Sequence, residues 1–289
     1  MTKPFTITEF FERFPDDDAC LDHLMRVRYG ETLVCPKCGK EGRFNRLRKQ
    51  PAYACSWCGH HIHPMQGTPF ERSHTPLQKW FYAMYLFTTT RNGVAAKELQ
   101  RQLGVTYKTA WRIGHEIRKY MSAVDGDDQL GSTGIVEVDK TFLGGRVPMA
   151  ERKDKPIVLG MLERGGDITT RLVPNKASRH AIGHITENVI KGARIASDES
   201  ATFAPLGKLG YAHEQVNHAL KEWKRGDIHT NTIESFWSWL KRGINGTHVW
   251  VSKKHLPKYL GEFEFRFNRR HVPHLMFDAL LVSFQKPSR

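Results

Sequence analysis

The sequence predicts a multidomain α+β protein in which two small N-terminal modules precede a larger mixed α/β domain. Two Cys-x-x-Cys pairs lie between Cys35 and Cys58 and indicate a small metal-binding module. Helical periodicity with clustered Lys and Arg follows in the next fifty residues. From Ile135 onward, alternating strand-like and helical segments predict a sheet covered by helices. The expected modules are residues 1–72, residues 73–124, a linker at 125–134, and residues 135–289.

The charge of the chain indicates a polyanionic partner. Its 289 residues include 44 Lys and Arg against 30 Asp and Glu, which gives a formal net charge of +14. An excess of this size is typical of nucleic-acid-binding proteins, although a generally basic surface would also produce it. No apolar run approaches the length of a membrane span, and the acidic N-terminal segment does not resemble a signal peptide. We therefore expect nucleic acid, and no membrane, as the partner.

Four of the five cysteines have the spacing of a structural zinc site. The pairs Cys35–Cys38 and Cys55–Cys58 are separated by 16 residues, and a glycine follows each pair. Four thiolates close the tetrahedral shell of Zn²⁺, so this ion would support folding rather than chemistry. A redox dithiol is the alternative, and two matched pairs argue against it. Short strands at 42–48 and 52–54 would complete a zinc ribbon, which two short helices at 8–14 and 16–29 precede.

Residues 73–124 predict three helices, of which the last two form a helix-turn-helix pattern. The second helix runs from Val94 to Leu103, Gly104 ends it, and Thr106 caps the third. One face of the third helix is basic, which suits a helix that contacts DNA. A plain helical linker domain is the alternative, since such patterns are common. The candidates for DNA contact on this helix are Lys108, Arg112, Arg118 and Lys119.

The last domain begins with segments of strand character. Ile135–Asp139, Pro156–Leu162 and Thr169–Pro174 predict three strands. A helix at Arg179–Ile190 and a fourth strand at Ala193–Ser197 follow them. Three strands, a helix, a strand and then further helices is the element order of an RNase H-like mixed α/β domain.

Three carboxylates lie at informative positions in this element order. Asp139 lies on the first strand, Asp198 directly follows the fourth strand, and Glu234 lies in the first turn of a helix that Thr230 or Asn231 would cap. Carboxylates brought together repel each other unless cations lie among them, and their hard oxygens suit two Mg²⁺ or Mn²⁺ ions. One ion would activate a water or hydroxyl, and the other would stabilise the leaving oxygen of a phosphodiester. Taken singly, each acid has an ordinary explanation as a strand-end residue, a turn former or a helix-start carboxylate.

The surroundings of Glu234 contain further polar candidates. His229 and Asn231 either orient substrate and water or only cap the helix. Residues 241–270 then carry eight Lys and Arg against two Glu, with aromatic residues between them. Basic side chains neutralise phosphates and aromatic rings can stack on unpaired bases, although the helical spacing favours a core role for most of these rings. The candidates for phosphate contact are Lys241, Arg242, Lys253, Lys254, Arg269 and Arg270.

Several motifs together resemble the zinc-ribbon DDE transposases of bacterial insertion sequences. The matching segments extend over nearly the whole chain and are CPKCG, YACSWCG, LQRQLGVTYKTAWR, VEVDKTFLGG, SDES, GYAHEQVNH, HTNTIESFWSWLKR and HLPKYLGEFEFRFNRR. The 35 residues between Asp198 and Glu234 also fit the spacing of many such enzymes. One departure is Lys140, because in these proteins the first Asp is often followed by Glu.

The resemblance implies DNA transposition, with Asp139, Asp198 and Glu234 as ligands of the catalytic Mg²⁺ or Mn²⁺ ions. It also implies N-terminal modules that bind the terminal repeats of the element, double-stranded DNA as the partner, an oligomer on paired DNA ends, and a place at the nucleoid in the bacterial cytoplasm. Two other functions stay open, a metal-dependent nuclease without strand transfer and a DNA-binding regulator derived from a transposase. The intact acids disfavour the regulator.

Overall fold

The computed structural model describes residues 5–31, 33–124, 129–144 and 155–284. The first part of the predicted linker, residues 125–128, lies outside the described residues. Tertiary contacts divide the chain into two units. The first unit contains the chain up to Thr90, Ala96–Tyr120 and the segment from Val272 onward, and the second contains Arg91–Ala95 and Met121–His271.

Two short helices begin the first unit close to their expected positions. Helix α1 spans Ile7–Arg13 and helix α2 spans Asp17–Tyr29. Thr6 and Glu9 cap the start of α1 reciprocally, because each side chain bonds to the backbone N–H of the other residue. The Asp16 side chain accepts a hydrogen bond from a backbone N–H in the first turn of α2. Side chains therefore satisfy free N–H groups at both helix starts.

The cysteine-containing region forms two small antiparallel sheets. Its strands are β1 Leu33–Val34, β2 Glu41–Gly42, β3 Phe44–Leu47, β4 Ala52–Cys55 and β5 His61–Ile62. β1 pairs with β2, and β4 lies between β3 and β5 in the second sheet. Each Cys-x-x-Cys pair occupies the turn at the end of a strand, β1 or β4. The two turns thus belong to different sheets.

The helical part of the first unit is built around α3, an apolar helix at Leu77–Thr89. Helix α4 spans Ala96–Leu103, and helix α5 spans Tyr107–Val124. Gly104 ends α4 with a φ of +60°, and the Thr106 hydroxyl accepts a hydrogen bond of 3.2 Å from a backbone N–H in the first turn of α5. The turn between α4 and α5 therefore has the chemistry that the sequence predicts.

The C-terminal segment belongs to the first unit, whereas the sequence analysis placed it in the mixed α/β domain. Helix α9 spans Met276–Val282 and contacts α2 and α3. Its residue Phe277 is buried, with its ring centroid 5.9 Å from that of Phe10 and 6.0 Å from that of Phe14. The apolar face of α9 therefore completes the aromatic core of the N-terminal helices, a long-range contact that no local pattern predicts.

A five-stranded mixed sheet forms the second unit. Its strands are β6 Val136–Phe142, β7 Ile157–Glu163, β8 Ile168–Val173, β9 Arg194–Ser197 and β10 Ala212–Gln215. Their spatial order is β10-β9-β6-β7-β8. The chain runs antiparallel from β6 through β7 to β8, whereas β9 is parallel to β6 and β10 is parallel to β9. β10 is an addition to the strands expected from sequence.

Helices cover both faces of this sheet. Helix α6, Ser178–Asn188, packs on the face to which Val136, Val138 and Leu159 point. Helices α7, Asn231–Gly243, and α8, Leu256–Asn268, contribute to the core on the other face. Because side chains alternate along β6, Glu137, Asp139 and Thr141 point to the α7 face. In the described ranges, no helix is both long and apolar enough to cross a membrane.

Candidate active site and zinc site

Asp139 and Asp198 lie side by side because β6 and β9 are parallel neighbours. Val138 on β6 pairs with Ser197 on β9, so the next residue on each strand is an aspartate. β9 ends at Ser197, whereas β6 continues to Phe142, so Asp139 lies in the middle of its strand beside the carboxyl end of β9, which Asp198 directly follows. Asp198 is half-buried, and its Oδ1 accepts a 3.1 Å hydrogen bond from Ser200 N.

A buried glutamate on β6 holds the start of α7, the helix that carries Glu234. Glu137 is fully buried, and its Oε2 accepts hydrogen bonds of 2.9 Å from the backbone N–H groups of Thr232 and Ile233. Its Oε1 accepts a 2.6 Å hydrogen bond from Arg164 Nε. A carboxylate is favoured at a helix N-terminus, where free N–H groups and the helix dipole both attract it. Glu137 thus fixes α7 against the strand that carries Asp139.

This cap corrects the sequence-based expectation for Thr230 and Asn231. Thr230 occupies the N-cap position of α7, but its side chain makes no capping hydrogen bond. Its hydroxyl instead donates a 2.7 Å hydrogen bond to Oε1 of Glu234, which orients that acid. Asn231 is exposed at the first helical position. The cap is supplied from a neighbouring strand about a hundred residues earlier in the chain, a relation that local sequence does not reveal.

His229 contacts the same buried glutamate rather than the three acids. Its Nδ1 lies 3.2 Å from Oε1 of Glu137, and its backbone oxygen accepts a 2.8 Å hydrogen bond from Arg164. Burial, followed by the charge of Arg164, lowers the pKa of His229. Of the two roles that the sequence left open for His229 and Asn231, the structure supports one at the start of α7.

Trp237 links α7 directly to Asp139. Its indole Nε1 donates a 2.9 Å hydrogen bond to Oδ2 of Asp139. Gly160 on β7 pairs with Asp139, and a Cβ atom built there would lie 2.5 Å from Cζ2 of Trp237. The missing side chain at Gly160 therefore gives the indole ring the space in which it reaches the carboxylate.

One cavity collects all three predicted acids. Its volume is about 330 Å³, and its lining residues are Asp139, Thr141, Asp198, His218, Thr230, Glu234, Trp237, Ser238 and Lys241. Four of these residues were not predicted from the sequence, namely Thr141, His218, Trp237 and Ser238. Periodicity could have suggested two of them, because Thr141 follows Asp139 by two strand positions and Ser238 follows Glu234 by one helical turn. His218 lies in the segment GYAHEQVNH, where no local pattern marks it as part of the site.

The electrostatics of the cavity favour cations. Burial and the charge of Asp198 raise the pKa of Asp139 to about 6, and Glu234 contributes to the rise. Burial also raises the pKa of Asp198. Burial and neighbouring carboxylates make the ionised form of a carboxyl group less stable, and a bound divalent cation would offset this destabilisation. The oxygen donors of this cavity therefore fit Mg²⁺ or Mn²⁺ in chemistry and charge.

Two lysines border the acids. Lys140, which replaces the expected second acid, donates a hydrogen bond to the hydroxyl of Thr202, and its Nζ lies 5.2 Å from the ring centroid of Phe203. Lys241 lines the cavity from α7, and burial lowers its pKa, while Asp139 acts in the opposite sense. Lys140 thus packs beside the site, whereas Lys241 faces it.

The four paired cysteines form a compact group, with their ligand atoms all within 4.8 Å of one another. Sγ of Cys35 lies 3.7 Å from that of Cys58, and Sγ of Cys38 lies 3.9 Å from that of Cys55. Thiolates at the usual ~2.3 Å from Zn²⁺ lie about 3.8 Å apart in a tetrahedron, so these distances fit one zinc ion. Gly39 and Gly59, with φ of +68° and +69°, close the two turns. Arrangement and residue type together support a structural Zn²⁺.

The thiols are spaced more closely than the carboxylates. Within the described parts of the chain, the four cysteines are the one group of three or more His, Cys, Asp or Glu side chains with ligand atoms all within 4.8 Å of one another. Asp139, Asp198 and Glu234 share a cavity but exceed that limit.

The candidates for DNA contact differ in exposure. Lys108, Arg112, Lys119, Arg242, Lys253 and Lys254 are exposed. Arg269 and Arg270 are partly buried, and their guanidinium groups lie 4.5 Å from the Phe265 ring centroid and 4.0 Å from that of Phe267. Each of these two arginines also donates to a backbone carbonyl. Fewer of their N–H groups are therefore available to a phosphate.

Arg118 is a correction to the predicted DNA-contact residues. Its side chain is buried with 3% exposure, and its guanidinium lies 4.9 Å from the ring centroid of Phe87. A Cβ built on Gly114 would lie 3.0 Å from one guanidinium nitrogen, so the absent side chain at Gly114 makes room for Arg118. Helical periodicity placed Arg118 on the outer face of α5, but long side chains can fold back over a neighbouring glycine.

Comparison with known proteins matches the two regions of the chain that contain these sites. Residues 132–268 match the family model of the ISXO2-like transposase domain, and residues 15–61 match that of the transposase zinc-ribbon domain. The chain is 26% identical over 265 residues to "Uncharacterized protein in transposable element ISH50" of Halobacterium salinarum, covering 84% of this chain and 88% of that protein. It is also 28% identical over 105 residues to an "Uncharacterized transposase-like protein" of Haemophilus influenzae, covering 36% of this chain and 84% of that protein. Both matches lie in one chain, and together they support a zinc-ribbon DDE transposase of an insertion sequence.

Proposed function

We propose that this chain is an active transposase that binds the ends of its insertion sequence and catalyses metal-dependent DNA cleavage and strand transfer. The observation that carries the proposal is the single cavity lined by Asp139, Asp198 and Glu234. That cavity lies within the segment that matches the ISXO2-like transposase domain. Three acids from a strand, a strand end and a helix are brought together there, which an inactive descendant would have no reason to keep.

The topology of the second unit supports an RNase H-like catalytic domain. β6, β7 and β8 form an antiparallel meander, and β9 returns after α6 to lie parallel to β6 on its other side. This arrangement places the first strand in the middle of the sheet, where its acid can meet the acid that follows β9. A later helix, α7, carries the third acid, Glu234, which lines the same cavity.

Asp139, Asp198 and Glu234 are the residues that would hold Mg²⁺ or Mn²⁺. Such ions, when bound, activate a water or hydroxyl for attack on a phosphodiester and stabilise the leaving oxygen. The Trp237 indole orients Asp139 and favours its ionised form, because its N–H donates to Oδ2. The Thr230 hydroxyl donates to Oε1 of Glu234 and orients that acid. Lys241 offers a positive charge to the phosphate, since it lines the cavity beside the acids.

DNA binding outside the cavity is assigned to the first unit. Lys108, Arg112 and Lys119 are exposed on α5, the second helix of the proposed helix-turn-helix. Basic residues of the zinc ribbon, such as Arg43 and Arg48, are also exposed. These side chains can neutralise phosphates of a duplex and thereby position the ends of the element. Paired ends require an assembly of at least two copies, so we expect an oligomer on DNA.

The proposal is tested with duplexes that carry the DNA flanking the gene on each side. With Mg²⁺, wild-type protein should cleave these duplexes and join the cleaved ends to a second duplex. Asp198→Asn should reduce cleavage by ~10³-fold or more while leaving DNA binding intact, because it removes one cation-binding charge. Glu187→Gln, which changes an exposed acid on α6, is the matched control and should behave like wild type. Full activity of Asp198→Asn would refute the site, and cleavage without joining would indicate a nuclease.

A further inference from the structure

Trp223 is an exposed tryptophan beside the proposed active site. Its ring is 58% exposed, although aromatic rings of this size are usually buried. Its centroid lies 4.8 Å from that of His218, at an interplanar angle of 40°. His218 in turn lines the cavity that holds Asp139 and Asp198. A large aromatic surface is therefore continuous with the wall of the cavity.

The segment that carries Trp223 is anchored on both sides. Asn217 accepts a hydrogen bond from Leu220 N through its side chain, and its own N–H donates to Glu222 at 3.2 Å. His218 N donates a 2.9 Å hydrogen bond to Glu199. On the other side, Arg225 pairs with Ile228 through two backbone hydrogen bonds, of 2.9 and 3.0 Å. The indole is thus presented from a backbone that hydrogen bonds hold in place, which lowers the entropy cost of binding a ligand.

The charges around the ring identify a polyanionic occupant. Lys221, Lys224 and Arg225 flank Trp223 in sequence, and all three are exposed. Glu222 offsets part of this charge, because its carboxylate lies 3.9 Å from the Arg225 guanidinium. A lone apolar partner would gain little from these cations, whereas a nucleic-acid strand offers phosphates to them and bases to the ring. Stacking of a base on an aromatic side chain requires an unpaired base, since a base within a duplex already stacks on its neighbours.

We propose that Trp223 is a stacking platform for an unpaired base next to the phosphate that reacts in the cavity. Successive phosphates of a duplex strand are displaced by about 3.4 Å along the helix axis, so a ring in contact with the cavity wall lies within one or two nucleotides of a phosphate held there. The ring would hold the strand end in place after local unpairing. The inference rests on the proposed function, because it identifies the base through the position of the reacting phosphate.

The stacking role is tested with two short DNA probes of the same sequence. One probe is a fully paired duplex, and the other has a short unpaired stretch that contains the fluorescent base 2-aminopurine. Binding is measured without Mg²⁺, so that cleavage plays no part. Stacking on the indole should quench the 2-aminopurine fluorescence in wild type, and Trp223→Ala should abolish the quenching. The same variant should bind the unpaired probe ~10-fold more weakly, since one base–aromatic stack contributes this much.

Two further variants separate stacking from a general effect on the loop. Trp223→Phe keeps an aromatic ring and should retain most of the affinity for the unpaired probe. Leu220→Ala removes a side chain that is 78% exposed on the same segment and should bind both probes like wild type. The proposal is overturned if Trp223→Ala binds the unpaired probe as tightly as wild type does. It is equally overturned if Trp223→Ala loses affinity for both probes to the same extent.

Failure of the stacking proposal can be distinguished experimentally from failure of the proposed transposase function. Cleavage of the flanking DNA by wild-type protein with Mg²⁺ reports on Asp139, Asp198 and Glu234, whereas quenching without Mg²⁺ reports on Trp223. Cleavage without quenching would refute the platform and leave the transposase proposal intact. Quenching without cleavage would refute the transposase proposal and, with it, the position next to a reacting phosphate, while leaving an unpaired-base site at Trp223.

Discussion

The indole Nε1 of Trp237 and the carboxylate Oδ2 of Asp139 are joined by a hydrogen bond of 2.9 Å. The bond connects α7 to β6, and Glu234 lies one helical turn before Trp237. Because the N–H group favours the charged carboxylate, it counteracts the burial that raises the pKa of Asp139. A single side chain thus favours the ionised form of one proposed metal ligand and connects it to the helix that carries another.

Replacing Trp237 with phenylalanine should reduce DNA cleavage without unfolding the protein. The substitution keeps an aromatic ring but removes the donor, and one hydrogen bond to a charged group justifies a fall of ~10-fold in cleavage rate. Loss of the donor should also raise the pKa of Asp139 above its value of about 6. The defect should therefore be largest near that pH and become smaller as the pH rises. Cleavage rates measured across pH test both expectations.

Trp250→Phe is the matched control for this experiment. Trp250 is 73% exposed and does not line the cavity, so its replacement should leave the rate and its pH dependence unchanged. A Trp237→Phe defect that is the same at every pH would argue that the indole acts through packing alone. In that case the hydrogen bond would have no role in the ionisation of Asp139.

Gly160→Ala should disturb the site from β7, the strand that pairs with β6. The added methyl group would lie 2.5 Å from Trp237 Cζ2 and 2.9 Å from Ile233 Cδ1, so the indole must move away from Asp139. Overpacking of this kind costs about 1–3 kcal/mol in the free energy of unfolding. Urea denaturation and cleavage assays should both show the loss. Gly183→Ala on α6, where a methyl group meets nothing within 4 Å, should be neutral or stabilising. If Gly160→Ala has the stability and the cleavage rate of wild type, the close packing of Trp237 against β7 contributes to neither.

The sequence could predict the acids but not the contacts that hold them. Asp139 and Asp198 follow from strand order, because each lies on or directly after a strand of clear period. Glu137 was visible only as a polar residue in an alternating strand. Its bonds to Thr232 and Ile233 cross 95 and 96 positions of sequence, and no local pattern encodes such a pairing.

The positions of Arg118 and α9 also could not be predicted from local sequence patterns. Helical period assigns a face to Arg118, but the empty space above Gly114 decides that its guanidinium folds inward. The position of α9 depends on the contact of Phe277 with Phe10 and Phe14, more than 260 residues earlier in the chain. Both decisions are made by tertiary packing, which propensity and periodicity do not contain.

The zinc site should depend on four of the five cysteines and not on the fifth. Cys55→Ser should lose bound zinc and destabilise the first unit, because a structural zinc ion contributes to the free energy of folding. Cys20→Ala changes a buried cysteine outside the group and should retain one zinc per chain. Metal analysis of the purified variants measures this directly. Equal zinc content in wild type and Cys55→Ser, or no zinc in wild type, would exclude the site.

His23 should make the first unit sensitive to acid. Burial, followed by the charges of Arg13 and Arg26, lowers its pKa from 6.5 to about 4, and its Nε2 has no hydrogen-bond partner among the described residues. The unfolded chain therefore binds a proton more readily, so stability is complete above pH 6.5 and falls as the pH drops towards 4. After allowance for partial exposure, the loss should be ~1–2 kcal/mol. The His23 ring lies between the rings of Phe14 and Phe81, so His23→Phe should fit the site. Urea denaturation between pH 6.5 and 4 should then show that this variant lacks the part of the stability loss that His23 causes. Acid release of zinc affects both proteins, so the difference between them isolates His23, and parallel stability curves would contradict its role.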